Sequence, residues 1–384
     1  MSPVETTPAI RKTALNAVHR HLGAKMVEFN GWDMPVEYSG IIAEHMAVRT
    51  GVGIFDVSHM GDIRLAGREA LAAVQHISMN DASRLAIGQA QYSALLYPQG
   101  TFVDDVIVHR LGEEEYLLVI NAGTREKDFS WVRENTRQFD CAVENLSDDF
   151  TQIAIQGPKA VDLLHKLLTD IDLNGVKFYW FTRGIIGLAS ERFVGREILI
   201  ARTGYTGEDG FEIYIPPDEA TSAKVWNNLL DLGKEFGAVP CGLGARNTLR
   251  LEAKLPLYGH EISDTINVWE AGLDRFCKME KQEFVGRGAL EKARGTGLKR
   301  MLVGLEMVER GIARDGYRIL NSSGDELGYV TSGSYAPFLK KNIALAYMPV
   351  DMSEVGGEVL VEIRGQGVKA KIVATPFYKR PKKA

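Results

Sequence analysis

Apolar positions return every three or four residues over 13–22, 68–77, 126–139, 159–168, 219–236 and 244–253, which predicts amphipathic helices, the first stopped by Gly23. Between them the pattern shortens to strand-like runs at 62–65, 92–97, 104–110, 116–120 and 152–155, broken by Gly100 and by Gly112-Glu113-Glu114-Glu115. The aromatic-rich segment Phe29-Asn30-Gly31-Trp32-Asp33-Met34-Pro35 reads as a loop. A charged, glycine-punctuated stretch at 291–300 marks a boundary, beyond which the helical signal fades. Short strands at 302–307, 317–320, 328–331, 343–348, 359–363 and 369–374 then suggest a small barrel or sandwich. The sum is an α+β protein. Its 384 residues imply two or three domains, and the lack of a low-complexity linker implies that they pack tightly.

Composition narrows the function. A formal net charge of -5 argues against wholesale nucleic-acid binding, and the basic end Tyr378-Lys379-Arg380-Pro381-Lys382-Lys383 reads as a solvated tail. Cys141, Cys241 and Cys277 stand far apart, which suits neither a disulfide framework nor a zinc site and points to a reducing, cytoplasmic setting. Residues 1–11 lack a signal-peptide pattern, and no apolar run approaches the ~20 residues that cross a bilayer, so no membrane association is expected.

Chemistry concentrates after the apolar run Ile198-Leu199-Ile200. The next eleven residues, Arg202-Thr203-Gly204-Tyr205-Thr206-Gly207-Glu208-Asp209-Gly210-Phe211-Glu212, combine charges, a ring and glycines. Glycine lets a backbone approach a ligand closely, Tyr205 offers a stacking face, and Glu212 offers a carboxylate for two adjacent N–H donors. A plain hairpin turning at Asp209-Gly210 explains the same spacing.

Asp104-Asp105 interrupts an apolar strand, where charge is costly unless solvated or used. Alternation lets only one of the two face a given pocket, which excludes a glycosidase-style pair. Either one carboxylate is catalytic, or one caps a turn while the other sits in a buried ion pair. In Phe55-Asp56-Val57-Ser58-His59-Met60-Gly61, neighbours on a strand cannot converge as a triad. Asp56 and Ser58 are expected to brace a turn, with His59 a satisfied packing residue. His45 and His59 lack metal-ligand spacing. Gly242-Leu243-Gly244-Ala245-Arg246-Asn247 lacks the third glycine of a dinucleotide loop. Arg246 falls in the first turn of a helix, where the dipole disfavours a cation, so it either binds an anion or pairs with an acid such as Glu252.

Seven segments occur in an order that resembles the T-protein of the glycine cleavage system, a tetrahydrofolate-dependent aminomethyltransferase family. They are the segment at 29–35, the segment at 55–61, Val103-Asp104-Asp105, Gln156-Gly157-Pro158, the segment at 202–208, Gly242-Leu243-Gly244-Ala245-Arg246 and Val330-Thr331-Ser332-Gly333. The similarity extends over about 22–378. It implies a three-domain cloverleaf around a central folate-binding hole. Residues 1–55 with 145–275 would form a discontinuous central folate-binding domain, 56–144 an inserted α+β domain, and 276–384 a C-terminal β-barrel-like domain.

The resemblance also implies a reaction of glycine catabolism. The one-carbon unit of an S-aminomethyl-dihydrolipoyl arm on H-protein passes to tetrahydrofolate, giving 5,10-methylenetetrahydrofolate, ammonia and the reduced arm, with no metal and no flavin. By similarity Asp105 is the catalytic carboxylate and Asp104 is structural. Glu212 holds the pterin amino edge, Tyr205 and Tyr92 line the slot for the pterin and aminobenzoyl rings, Asn121 bonds the ring, and Arg246 stabilises the polar side of folate. Lys379 and Arg380 would assist the glutamate tail. Two positions depart from the family: Asn247 replaces a common Asp, and Phe178 stands where some members have Tyr, with Tyr179 beside it either structural or compensating.

Two rivals share the fold. A folate-dependent demethylation module of dimethylglycine or sarcosine dehydrogenases would need an attached flavin domain, for which 384 residues leave no room. A non-catalytic folate-binding protein supporting iron–sulfur enzymes carries a cysteine-containing segment, whereas this chain has Lys254-Leu255-Pro256-Leu257-Tyr258-Gly259-His260-Glu261.

Overall fold

The computed structural model describes residues 10–168, 171–188, 191–192, 198–281 and 283–381. Its organising element is a sheet in the order Phe181–Gly184, Ile198–Ala201, Gly210–Ile215, Thr151–Gln156, Val52–Asp56, Ala238–Pro240, antiparallel except for the last pair. The two middle strands, Thr151–Gln156 and Val52–Asp56, are buried at every residue, because helices cover both faces. On one face Ile54, Ile153 and Ile155 pack on Leu163, Leu164 and Trp226 of the helices Ala160–Leu167 and Glu219–Gly233. On the other, Phe55 and Ala154 pack on Val48, Ala245 and Leu249 of the helices Ile41–Thr50 and Leu243–Glu252. Period-2 alternation sorts side chains between these faces. Glu212 pairs with Ala154 and Ala201, and therefore shares the second face.

A second sheet is fully antiparallel: Ala90–Leu96, Phe102–Gly112, Glu115–Ile120, Gly61–Ala66, Ala142–Asn145. The helices Ala70–Ile77 and Arg125–Thr136 close its core around Ile63, Leu65, Val106 and Leu118. The chain enters this sheet through a turn braced by Asp56, whose Oδ1 accepts from Ser58 N at 2.9 Å and Ser58 Oγ at 2.6 Å. This is the role expected of that pair. Its Oδ2 accepts from Thr13 at 2.7 Å and lies 2.9 Å from His19 Nε2. His59 differs from expectation, since its buried Nδ1 has no hydrogen-bond partner among the described residues.

The last strands close into a barrel: Arg300–Met307 pairs with both Lys341–Pro349 and Gln366–Val373. Closure removes sheet edges that a sandwich would leave open. A shared core joins Leu96 and Phe102 of the second sheet, Leu251 of the helix Leu243–Glu252 and Leu345 and Tyr347 of the barrel, so the parts are packed rather than strung. No helix among the described residues is long and apolar enough to cross a membrane.

One local expectation is corrected. Residues 29–35 are not a loop but part of a hairpin, Lys25–Phe29 with Trp32–Glu37, turned by Asn30 and Gly31 at φ 50° and 81°. Asn-Gly suits a two-residue turn that needs positive φ at both positions. The charged stretch 291–300 is mostly the end of the helix Arg287–Thr296, whose Leu290 is buried in the shared core, and the barrel strands begin at Arg300.

Candidate active site

Alternation along Phe102–Gly112 sends Asp104 into the core of the second sheet with Val106 and Val108, and Asp105 to the opposite face with Tyr92 and Ala94 of the paired strand. Asp104 is fully buried and Asp105 half-buried. Asp104 accepts from Asn121 N at 3.0 Å, Asn121 Nδ2 at 2.7 Å, Thr124 Oγ1 at 2.8 Å and the Asp105 N–H at 3.0 Å. The same Asn121 Nδ2 donates to Asp105 Oδ1 at 2.8 Å. Asp104 thus holds a bond network rather than an ion pair, and one amide aims Asp105.

Tyr92, Asp105, Tyr179, Tyr205, Glu212 and Arg246 are each surrounded by protein on nearly every side, yet each keeps accessible surface. Such side chains line an internal space rather than the outer surface. The Asp105 charge acts on Tyr92, Tyr179 and Tyr205, and the Glu212 charge acts on Tyr179 and Arg246. The two carboxyls come from different sheets and meet around one set of rings. All the binding and catalytic residues expected from the sequence therefore converge, except that Asn121 works through Asp105.

Electrostatics make this space unusual. Burial, reinforced by the Asp104 charge, lifts the Asp105 carboxyl to about 7, against the pull of Asn121 and Tyr92. The buried Tyr92 hydroxyl makes no hydrogen bond of good geometry. Burial raises Glu212 as well, opposed by the Thr203 hydroxyl that donates to it and by the Arg246 charge. Arg246 does not pair with Glu252, which instead bonds Arg49 at 2.9 Å and lies 3.2 Å from His45. Its guanidinium makes no hydrogen bond among the described residues and lies 4.6 Å over the Tyr205 ring, whose hydroxyl donates to the Pro256 carbonyl. A desolvated cation and two accessible, deeply set carboxyls form a polar lining left open to a ligand.

The loop beneath is built for close approach. A Cβ at Gly204 would overlap the Gln156 carboxamide, which takes the Thr206 hydroxyl at 2.9 Å and gives an N–H to the Thr203 carbonyl at 3.0 Å. Asp209 does not turn a hairpin; it takes Arg202 through both oxygens at 2.9 and 2.6 Å. Arg380 lies 3.4 Å from Asp209 and 5.4 Å over Phe178, so it is anchored to the rim. Asn247 accepts from Arg250 at 2.9 Å, a bond within the helix that needs no charge at 247. Among the described residues no group of His, Cys, Asp and Glu is arranged to hold a metal.

Residues 15–281 match the model of the GCVT N-terminal domain, and 300–379 that of the glycine cleavage T-protein C-terminal barrel domain. This chain belongs to the glycine cleavage T-protein family. Within it, the chain is 69% identical to an aminomethyltransferase of Koribacter versatilis over 100% of this chain and 99% of that one. It is 51% identical to an aminomethyltransferase of Moorella thermoacetica over 97% and 99%. Its fold is similar to the crystal structure of the glycine cleavage system aminomethyltransferase T from Bartonella henselae, with TM-score 0.88 and 33% identity over 96% of this chain and 98% of that one.

Sequence reasoning passed over two T-protein residues that the fold brings to this region, Asp62 and Asp128, and left the place of a third, Tyr179, open. Tyr179 enters the space at φ 61°, a conformation no sequence pattern announces. Asp62 is fully buried with Oδ1 unpaired, and burial raises it well above the carboxylate range. Asp128 is fully buried behind Asp104. The available signal was an acidic residue within an apolar strand or on the inward face of a helix.

Proposed function

We propose that this chain, an aminomethyltransferase of the glycine cleavage system, moves the one-carbon unit from the S-aminomethyl-dihydrolipoyl arm of H-protein to tetrahydrofolate, with Asp105 as its catalytic carboxylate. One observation carries the reading: Asp105 and Glu212, on different sheets, face one internal space lined by Tyr92, Tyr179, Tyr205 and Arg246. The lining fits folate. Glu212 accepts two parallel N–H bonds from an aminopyrimidinone edge, the tyrosines bound flat rings, and Arg246 faces polar or anionic atoms. Bound tetrahydrofolate supplies two nucleophilic nitrogens.

In the reaction the C–S and C–N bonds of the aminomethyl group break and two C–N bonds to folate form. The two folate N–H protons end on the sulfur and on the departing ammonia. Asp105 stabilises the positive charge that develops on the carbon as sulfur leaves, and a carboxyl near neutrality accepts and returns a proton at the nitrogen it faces. Asn121 keeps that carboxyl aimed, and Glu212 with Arg246 holds the acceptor in register, an ordering worth up to about 7 kcal/mol in favourable cases.

The division of the chain into 1–55 with 145–275, 56–144 and 276–384 is supported by the membership of the two sheets and the barrel. A cytoplasmic setting is supported by the three unpaired cysteines. The test is a reconstituted assay with lipoylated H-protein and tetrahydrofolate in which methylenetetrahydrofolate and ammonia appear together; one product without the other would refute the reading.

A further inference from the structure

Behind Asp104 lies a carboxyl that the reaction does not explain. Asp128, on the helix Arg125–Thr136, is fully buried, and among the described residues neither of its oxygens has a hydrogen-bond partner of good geometry. It faces the Asp104 carboxylate. Two acceptors in contact, away from water, are intelligible only if a proton lies between them. Asp104 already receives four donors: the Asn121 N–H, the Asn121 amide, the Thr124 hydroxyl and the Asp105 N–H. A proton on Asp104 would point at one of these, so the shared proton belongs to Asp128.

One cation is near. Lys127 Nζ lies 3.3 Å from Asp128 Oδ1, without hydrogen-bond geometry. Its donors go to the Val103 carbonyl and, at 3.2 Å, to the Tyr258 hydroxyl. Lys127 is over a third exposed, so solvent screens its attraction. Burial and the Asp104 charge outweigh Lys127 and the Thr124 hydroxyl, both of which favour the ionised form, and hold the Asp128 proton well above the usual carboxylate range.

We propose that Asp128 is a neutral carboxylic acid that donates its O–H to Asp104 and is the positioning residue behind Asn121 and Asp105. It touches neither folate nor the lipoyl arm. Asp128 fixes Asp104, Asp104 fixes Asn121 through two N–H groups, and Asn121 fixes Asp105. The same bond keeps Asp128 uncharged, so that the Asp104 charge alone faces Asp105 from behind. This inference rests on Asp105 being the catalytic group, and its test is chosen to fail separately.

The test is infrared spectroscopy and pH-dependent kinetics on full-length wild type, Asp128→Asn and Asp128→Leu. Above neutral pH, where the buried Asp62 also keeps its proton, the wild-type-minus-D128N difference spectrum shows the carbonyl stretch of one buried carboxylic acid lost with Asp128. In D128N a carboxamide N–H donates to Asp104 in place of the O–H, so this variant keeps kcat within about twofold with its acid limb unmoved, whereas D128L loses about tenfold or more in kcat at nearly constant KM. Absence of that band from the difference spectrum, or a D128N acid limb displaced to lower pH, means that Asp128 is ionised, and the proposal falls. If D128L does not fold, the spectra and the D128N profile still decide. If the band behaves as stated but Asp105→Asn turns over normally, the role of Asp105 fails while the protonation of Asp128 stands.

Discussion

Asp104 accepts the backbone N–H of Asp105 at 3.0 Å, yet their carboxyls point to opposite faces of one strand. Adjacent residues thus divide the work: one carboxylate is consumed by the scaffold, and its charge helps keep a proton on the other to near neutrality.

Asp105→Asn removes the charge while keeping the shape. Turnover falls by about a hundredfold or more, in the range of general acid–base effects, while tetrahydrofolate binding measured by calorimetry changes little. Full turnover in the variant would contradict the assigned role.

Asp105 also costs stability. Its folded-state value of about 7 exceeds the unfolded value of 3.8, so the folded state binds the proton more tightly. Stability from this group is fully present below the unfolded value and is lost as pH rises through the folded one. D105N therefore melts higher than wild type above pH 7, by at least about 1.4 kcal/mol, the free energy of a tenfold difference in proton affinity. The gap closes toward acid, and thermal melts across pH check both features.

Asp56 has the opposite sign. Burial alone would raise it, but hydrogen bonds and charge from His19, with Ser58 and Thr13, bring it to about 2. It stabilises the fold above the unfolded value near 3.8, and the contribution is lost as pH falls from there toward 2. Asp56→Asn costs about 2 kcal/mol at neutral pH in urea unfolding, and the difference from wild type shrinks below pH 4. A difference independent of pH would show that shape, not charge, matters at 56.

Glu212→Gln replaces one acceptor oxygen by a donor. Folate affinity drops by about tenfold to a hundredfold, the worth of a hydrogen bond to a charged group, with kcat less affected than KM. Unchanged affinity by calorimetry would remove Glu212 from the binding site.

Arg49 ties the helix Ile41–Thr50 to Glu252 at 2.9 Å and Glu208 at 3.0 Å, beneath the Tyr378 ring that follows the barrel. Arg49→Ala leaves both acids without their buried partner and costs about 3–5 kcal/mol. Tyr378→Phe removes only the hydroxyl that donates to Glu208 at 2.6 Å and costs about 1–3 kcal/mol. Denaturant titration of both variants tests the order.

The sequence alone determined the elements whose periodicity is strong: the helices around 159–168, 219–236 and 244–253, and the barrel strands, each within a few residues of its observed ends. It also determined that only one of Asp104 and Asp105 could face a pocket, because alternation is local backbone geometry. Tertiary structure decided which one, by placing the helix Arg125–Thr136 against the Asp104 face. It decided that Arg246 stands on Tyr205 and that Glu252 belongs to Arg49 and His45, because which buried charges meet depends on how the helices Ile41–Thr50 and Leu243–Glu252 pack. Asp128 lay beyond reach for the same reason: a polar residue on a helix reads as solvated until the fold encloses it, and only then does a missing hydrogen-bond partner become a statement about where a proton sits.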